Sequence, residues 1–396
     1  MTEVHRSRLR ALSVIDSLGQ GGAERSLIDL ARGLRGHDIE TTLAVLRVRD
    51  HGFQRSLQET AELPVEVLGA NRLQAMRRLR VLLSDGGFDL LHTSLFEASV
   101  LGRIAAGGIG VPVLTSLVNV SYDPVRRLDP RVSGAKLQVA RWIDGWSARH
   151  LTTRFHALTR AVAAQAVVDL GVEPRAITVI PRGRDPAEFH PPESESTRTS
   201  IRSELGLDAA ATVFLSVGRH EFQKGHQYLI DAMTAVVGEI PDAVLLLLGR
   251  EGNETSALLT QVSRNDLGAH VRVMGDRRDV SRILRAADVF VFPSLYEGFG
   301  GAVIEAMATG LPIVASDLPP VREVVGDAGV LVPPADPAAL AGAMKTVASD
   351  QARVSDLGRA GLARFQTHYR LDQVVSDMAD LFRETAGSVT STIPLE

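Results

Sequence analysis

Apolar runs of strand length alternate with helix-length segments along the whole chain. The runs are LRALSVI from Leu9, TTLAVLRV from Thr41, FDLLHT from Phe88, PVLTSL from Pro112 and ITVIP from Ile177. They continue with TVFLSVG from Thr212, AVLLLLG from Ala243, HVRVMG from His270, VFVFPS from Val289 and PIVASD from Pro312. Strands covered on both faces read as continuous apolar runs, and strands separated by helices pair in parallel. The pattern predicts an α/β protein with two doubly wound, Rossmann-like domains. The segment HPPESESTRTS, from His190 to Ser200, has no apolar period and reads as a linker. The expected organisation is an N-terminal domain over 1–190, a linker over 191–202 and a C-terminal domain over 203–370. Open parallel sheets bind ligands at the carboxyl ends of their strands, so the two domains are expected to face each other across a cleft.

Composition narrows the function classes. The chain has 396 residues, 45% of them hydrophobic and 23% charged, enough apolar material for more than one core. The net charge of −4 argues against a broad nucleic-acid footprint. Cysteine is absent, which removes disulfides, thiol nucleophiles and cysteine-based metal sites and fits a reducing compartment. The apolar run ALSVI behind the basic start MTEVHRSRLR is too short for a signal-peptide core, and AVLLLLG is far below a membrane span. A cytoplasmic protein is expected, and peripheral membrane contact stays open.

Three loops carry candidate chemistry. The first, DSLGQGGAERSL from Asp16, is glycine-rich and leads from a strand into a helix, an arrangement that suits an anion. A dinucleotide fingerprint would need glycine where Glu24 stands, so a nicotinamide site is not expected. A plain tight turn is the alternative. The second, SVGRHEFQKGHQ from Ser216, sets Arg219 and Lys224 around a short turn after a strand. Arg suits a diphosphate by bidentate hydrogen bonds and Lys as a point charge. Two solvated surface cations are the alternative.

The third loop, EGFGGAVIEAMATGLPIVASD, places Glu297 and Glu305 eight positions apart around a helix start near Gly300 and Gly301. Carboxylates beside a phosphate would repel it, so they are expected to accept from hydroxyl groups instead. Glu305 suits a ribose diol and Glu297 a sugar hydroxyl. That describes a ligand with an anionic middle and two polyol ends. One loop acid and one solvated helix acid are the alternative.

The GQGGAE loop, the GRHEFQKG segment and the spacing from Glu297 to Glu305 followed by EAMATGLPIVASD resemble the retaining glycosyltransferases of the family-4 type, with the GT-B fold. VIPRGRDPAEFHP resembles that family's interdomain "vipnGiD" turn, with Arg182 in place of the usual Asn. The resemblance covers nearly the whole chain. It implies that Gly218, Arg219 and Lys224 hold the donor diphosphate, the two cations stabilising the leaving group. It implies that Glu305 binds the ribose. Glu297 and the amides of Phe299, Gly300 and Gly301 would orient the transferred sugar, and Gly21 and Gly22 would approach the phosphates or the sugar. Asp279, in the turn MGDRRDV, is a weaker candidate for a contact to the base. A C-terminal helix at about 371–386 is expected to return to the first domain. The departing phosphate would accept the acceptor's proton on the same face, which gives retention.

Many relatives carry a histidine after the strand matching PVLTSL. This chain has Val118 and Asn119 there. Asn119 can hydrogen-bond a sugar hydroxyl but cannot act as a base, and His92 is the nearby candidate for that role. No D-x-D pair occurs, and with Arg219 and Lys224 present a metal-independent reaction without a cofactor is expected. The donor is expected to be a nucleotide sugar and the acceptor a glycan, a lipid-linked sugar or a small molecule. RLQAMRRLRVLL from Arg72 and the basic stretch from Val125 to His150 are candidates for contact with the inner face of a membrane. The competing readings are a catalytically silent nucleotide-sugar-binding module and a nucleotide-sugar epimerase or hydrolase of the same fold.

Overall fold

The computed structural model describes residues 8–388 except 20, 49–61 and 70. It divides into two compact units. The first comprises Met1–Tyr122, Val132–Gly183 and Leu371–Glu396, and the second Asp123–Arg131 and Arg184–Arg370.

The first unit holds a seven-stranded sheet. Its strands are β1 (Leu9–Ile15), β2 (Ile39–Val45), β3 (Val65–Val67), β4 (Leu90–Ser94), β5 (Val113–Leu117), β6 (Arg154–Ala157) and β7 (Ile177–Val179). The order is β3-β2-β1-β4-β5-β6-β7, and every pairing is parallel. The order reverses between β1 and β4, where Ser13 lies opposite His92. That switch point is where doubly wound sheets place their ligands.

The helix Leu371–Gly387 belongs to this unit, although it lies at the far end of the sequence. Its apolar stripe of Val374, Val375, Met378, Leu381 and Phe382 recurs at helical spacing. The stripe packs on Ala11, Leu34, Ile39, Leu90, Leu114 and Ile180.

The second unit repeats the plan with a six-stranded sheet. Its strands are β8 (Thr212–Val217), β9 (Ala243–Leu248), β10 (Val271–Gly275), β11 (Val289–Phe292), β12 (Ile313–Ser316) and β13 (Gly329–Val332). The order is β10-β9-β8-β11-β12-β13, again parallel throughout, with the switch between β8 and β11. Leu245 and Leu247 of β9 face one core with Leu229, Met233 and Leu258.

Three strands carry no clear signal in the sequence. β3 and β13 are short edge strands, VEV and GVLV, and β6 reads RFHA, half polar. Runs of three or four residues are too short to show a period of their own, and pairing with neighbours fixes them as strands.

The expected linker is corrected. Residues Glu195–Glu204 form a helix whose Ser194 hydroxyl accepts from the Thr197 amide at 3.2 Å. The helix has one apolar anchor, Ile201, and is otherwise held through Arg198 and Arg202, both paired with Asp288. Pattern reading by apolar period misses a helix tethered through arginines. The second unit begins at Arg184, inside the expected first domain, and it also takes in residues Asp123–Arg131. Arg131 of that stretch pairs with Glu254 at 2.9 Å.

Candidate active site

In the second unit the loop after β8 and the loop after β11 are laced together. The amide of Leu295 donates to the carbonyl of Gln223 at 2.8 Å, and the Gln223 side chain donates to the carbonyl of Tyr296 at 2.9 Å. The single turn Phe222–Lys224 ends at Gly225, with φ +61°. A Cβ there would stand 2.1 Å from the Pro293 carbonyl oxygen, so only glycine lets the two loops meet this closely.

This lacing delivers Lys224 to Glu297. The Lys224 ammonium is ion-paired with Glu297 Oε1 and lies 5.2 Å from the centre of the Phe292 ring. Ser294 Oγ donates to the same carboxylate oxygen at 3.2 Å. Glu297 is buried, so its pairing offsets a desolvation cost that an isolated carboxylate could not meet. Arg219 stands exposed at the end of β8, and among the described residues its side chain makes no hydrogen bond or ion pair. Gly218 precedes it.

The helix Gly301–Ala308 starts at Gly300, whose φ of +89° turns the chain into it. Phe299 is buried and packs edge-on against Tyr369 at 5.8 Å. Glu305, on the second turn, accepts a hydrogen bond from Arg184 Nε at 2.7 Å. Both side chains are buried, at 1% and 11% exposure for Arg184 and Glu305. Asp279 receives a bidentate pair from Arg277, at 2.8 and 2.6 Å, which holds its carboxyl below the usual range. Asp279 is thereby tied to Arg277 within its own turn, with one acceptor site of each oxygen taken.

In the first unit the glycine loop runs into the helix Gly22–Leu34, with Gly21 as its extended N-cap. Glu24 folds back over the loop, and a Cβ on Gly21 would stand 2.2 Å from its carboxylate. The guanidinium of Arg182 lies 3.6 Å from where a Cβ on Gly22 would be. Asn119 accepts from the Val120 amide at 2.9 Å, which leaves its own NH2 without a partner among the described residues.

His92 is not positioned as a base. Its Nδ1 meets Ser13 Oγ at 3.1 Å and its Nε2 meets Ser116 Oγ at 2.8 Å. Ser116 Oγ also meets His156 Nδ1 at 2.8 Å, and His156 Nε2 meets the Ile180 carbonyl at 2.7 Å. The carbonyl can only accept, so His156 Nε2 carries the hydrogen and its Nδ1 accepts from Ser116. Ser116 then accepts from His92 Nε2, and His92 Nδ1 accepts from Ser13. Every donor in the row has an acceptor, with both rings neutral.

Burial pushes His92 down to about 3 and His156 to about 4. A base needs a free nitrogen and a pKa near working pH, and His92 has neither. The expectation of a catalytic His92 is therefore corrected to a structural one. His92, Ser116 and His156 line a cavity of about 60 Å³ together with Arg182, Val374 and Met378.

Two family models match the chain. Residues 211–350 match "Glycosyl transferases group 1" and residues 20–188 match "Glycosyltransferase Family 4". The chain belongs to the family-4 glycosyltransferases. A UDP-Gal:alpha-D-GlcNAc-diphosphoundecaprenol alpha-1,3-galactosyltransferase of Escherichia coli is 31% identical over 250 residues, which cover 62% of each chain. A D-inositol 3-phosphate glycosyltransferase of Jonesia denitrificans is 26% identical over 409 residues, covering 96% of this chain and 95% of its own. Among solved structures, Anabaena Alr3699/HepE in complex with UDP and glucose superposes with a TM-score of 0.81 at 24% identity, covering 95% of this chain and 99% of that one. Sucrose-phosphate synthase from Thermosynechococcus elongatus gives 0.80 at 21% identity, with coverages of 95% and 99%. These neighbours establish the GT-B fold.

In this glycosyltransferase, sequence reasoning missed Arg184 and His156. Arg184 had a visible signal, because it occupies the apolar position of the "vipnGiD" pattern. His156 had none, since RFHA does not read as a strand. Among the described residues, no cluster of three or more His, Cys, Asp or Glu could hold a metal ion, and no helix is long and apolar enough to cross a membrane.

Proposed function

We propose that this glycosyltransferase moves a sugar from a nucleoside diphosphate sugar to an acceptor hydroxyl, with retention of anomeric configuration and without a metal or organic cofactor. The observation that carries the reading is the placement of cations at the carboxyl end of the second sheet. Lys224 is paired with Glu297 and Arg184 with Glu305, and Arg219, which follows β8 after Gly218, makes no ion pair among the described residues. An anionic diphosphate then meets net positive charge although two acids are present.

The chemistry follows from that balance. The bond between the anomeric carbon and the phosphate oxygen breaks, and negative charge grows on the departing diphosphate. Arg219, Lys224 and the amino end of the helix Gly301–Ala308 stabilise that charge. Positive charge grows on the sugar, which Glu297 opposes. The acceptor oxygen bonds to the anomeric carbon from the same face, and its proton passes to the departing phosphate oxygen. No protein base is required, in keeping with the engagement of both His92 nitrogens. Glu305 accepts from the ribose hydroxyls, and the amides of Phe299, Gly300 and Gly301 orient the sugar. In this reading Gly21 and Gly22 approach the phosphates or the sugar, and Asn119 hydrogen-bonds a sugar hydroxyl.

A lipid-linked acceptor in polysaccharide biosynthesis, met at the cytoplasmic face of a membrane, is favoured by one surface. The helix Gly134–Leu151 exposes Val139, Trp142 and Trp146 along one side, with Lys136 beside them. Tryptophan suits the membrane interface because its ring is apolar and its N–H polar. The other basic helix, Arg72–Asp85, is a poorer candidate. Arg72 and Arg78 are paired with Glu97 and Glu66, and Arg80 donates to carbonyls.

A panel of nucleotide sugars, tried with polyol and lipid-linked acceptors, tests the reading. The anomeric proton coupling of the product should match that of the donor, and transfer should survive a chelator. An inverted product overturns retention. Loss of activity on chelation, restored by magnesium or manganese, overturns metal independence. Donor binding without transfer to any acceptor favours a silent binding module.

A further inference from the structure

We propose that Arg184 is a positioning residue that fixes the direction of the Glu305 carboxylate toward the ribose of the donor. The inference rests on the ribose-binding role proposed above for Glu305.

Arg184 is among the largest fully buried side chains of the molecule. A guanidinium keeps its charge at any ordinary pH, so burying it requires a fixed anionic partner. That partner is Glu305 Oε1, 2.7 Å from Arg184 Nε. The arginine is itself held at the backbone. Its amide donates to the Tyr369 carbonyl at 2.9 Å, and it forms a parallel bridge with Arg370. Tyr369 in turn packs against Phe299, just ahead of the helix that carries Glu305. The guanidinium therefore approaches Glu305 from a fixed support.

The second carboxylate oxygen is in a different state. Glu305 Oε2 has no hydrogen-bond partner among the described residues, and it is not among the buried atoms left without one. One oxygen is committed and the other is open. A carboxylate with both oxygens unheld rotates about its last side-chain bond and must be ordered when the ligand binds. Pinning Oε1 removes that freedom beforehand and presents Oε2 in one direction. The pairing also cancels the carboxylate's charge, so a diphosphate can lie near the same helix without facing an uncompensated anion. The pinning acts on hydroxyl recognition at Oε2, whereas the charge cancellation persists in any variant that keeps a cation at position 184.

The test compares hydroxyl recognition with diphosphate binding in the full chain. Whichever of UDP, GDP and ADP binds tightest is titrated by calorimetry, along with its 2′-deoxy and 3′-deoxy forms and with inorganic pyrophosphate. In the unmodified enzyme the ribonucleotide should be preferred over the deoxy forms by roughly tenfold or more, the range expected for a hydrogen bond to a charged group. Arg184→Lys keeps the charge but lacks the planar fork, and it should reduce that preference to within about threefold while leaving pyrophosphate affinity unchanged. Arg184→Met is the harsher variant, and Arg184→Lys keeps the test open if Arg184→Met does not fold. Glu305→Gln should also reduce the preference, and adding Arg184→Lys to it should cause little further loss.

A lower melting temperature in Arg184→Lys with the ribose preference intact would make Arg184 purely structural and overturn the proposal. If the unmodified enzyme binds a nucleoside diphosphate but shows no ribose preference, or Glu305→Gln leaves that preference intact, the ribose role of Glu305 falls and this inference with it. If none of the three nucleotides binds, the proposed donor class falls.

Discussion

The ammonium of Lys224 is seated on the carboxylate of Glu297, 73 positions away in sequence, with no ligand between them. A diphosphate entering this site competes with Glu297 for the lysine. Glu297→Gln should therefore not weaken the bare nucleoside diphosphate, and its affinity should stay within about threefold or rise, while turnover falls at least tenfold. Lys224→Ala should weaken the same nucleotide by roughly tenfold to a hundredfold, as expected for a lost charged contact. Calorimetry with the bare nucleotide and steady-state kinetics separate the two. Equal loss of nucleotide affinity in both variants would mean that Glu297 serves the diphosphate and not the sugar.

The histidine row leads to a second prediction. His92→Ala removes a ring that bonds two serines and packs against Phe382 at 5.2 Å, and it leaves the buried Ser13 hydroxyl without its acceptor while Ser116 keeps His156. Its main effect should be on stability, about 2–4 kcal/mol from the cavity and the lost hydrogen bonds. The folded fraction should keep its turnover within a few fold. Arg219→Ala should instead lose turnover at little cost to stability, because that side chain is exposed. Asn119→Ala should fall between them in turnover, through one lost hydroxyl contact. Melting curves beside kinetics decide the matter. A His92→Ala enzyme of normal stability with abolished turnover would restore the base assignment.

Much of this was legible in the chain. The strands named from apolar runs all exist, because a strand covered on both faces must be apolar throughout its length. Arg219, Lys224, Glu297 and Glu305 could be singled out because strand ends and helix starts are marked by glycine and proline. What could not be read was the pairing among them. Sequence spacing cannot show that Arg184 reaches Glu305 across 121 positions, or that Lys224 reaches Glu297. The fate of His92 was hidden for the same reason. Its neighbours Ser13, Ser116 and His156 come from three other strands that only the sheet order brings together. The linker was misread because its helix is held by ion pairs instead of an apolar stripe.

Buried neutral histidines also set the pH dependence of stability. Burial lowers His92 and His226 from 6.5 to about 3, and His156 to about 4. Below pH 6.5 these residues take up protons in the unfolded chain but not in the folded one, so acid favours unfolding. Asp16 works the other way. Burial raises it from 3.8 to about 6, so between those values the folded state holds a proton that the unfolded chain lacks. From about pH 6 down to about pH 4 the histidines outnumber the aspartate by two protons (three against one). Stability should then fall by up to roughly 2–3 kcal/mol per pH unit, at 1.36 kcal/mol for each proton. Chemical denaturation at several pH values measures the slope. His156→Gln should make it shallower, and an unchanged slope would mean that the row is open to water and protonates in the folded state.

The last prediction concerns the exposed tryptophans. Trp142 is 69% exposed and Trp146 43%, one helical turn apart, with Val139 at 60% on the same side. Solvated tryptophans at that spacing offer a contiguous apolar strip, which a soluble surface does not need. The basic residues of this helix are partly committed elsewhere. Arg141 donates to the carbonyls of Val168 and Asp169, and Arg149 to that of Leu170. Adsorption should therefore depend on the tryptophans more than on charge. Binding to vesicles of anionic and neutral phospholipid should survive moderate salt, and Trp142→Ala with Trp146→Ala should lower it by tenfold or more, as expected from losing two large apolar side chains. Turnover on a water-soluble acceptor should not change in that variant, while turnover on a lipid-linked acceptor in vesicles should fall. Vesicle flotation and tryptophan emission report the first effect, and paired assays the second. If the double variant floats with vesicles as well as the unmodified enzyme, this strip does not face lipid. Equal loss of turnover on both acceptors would show that the tryptophans support the fold or the acceptor site instead.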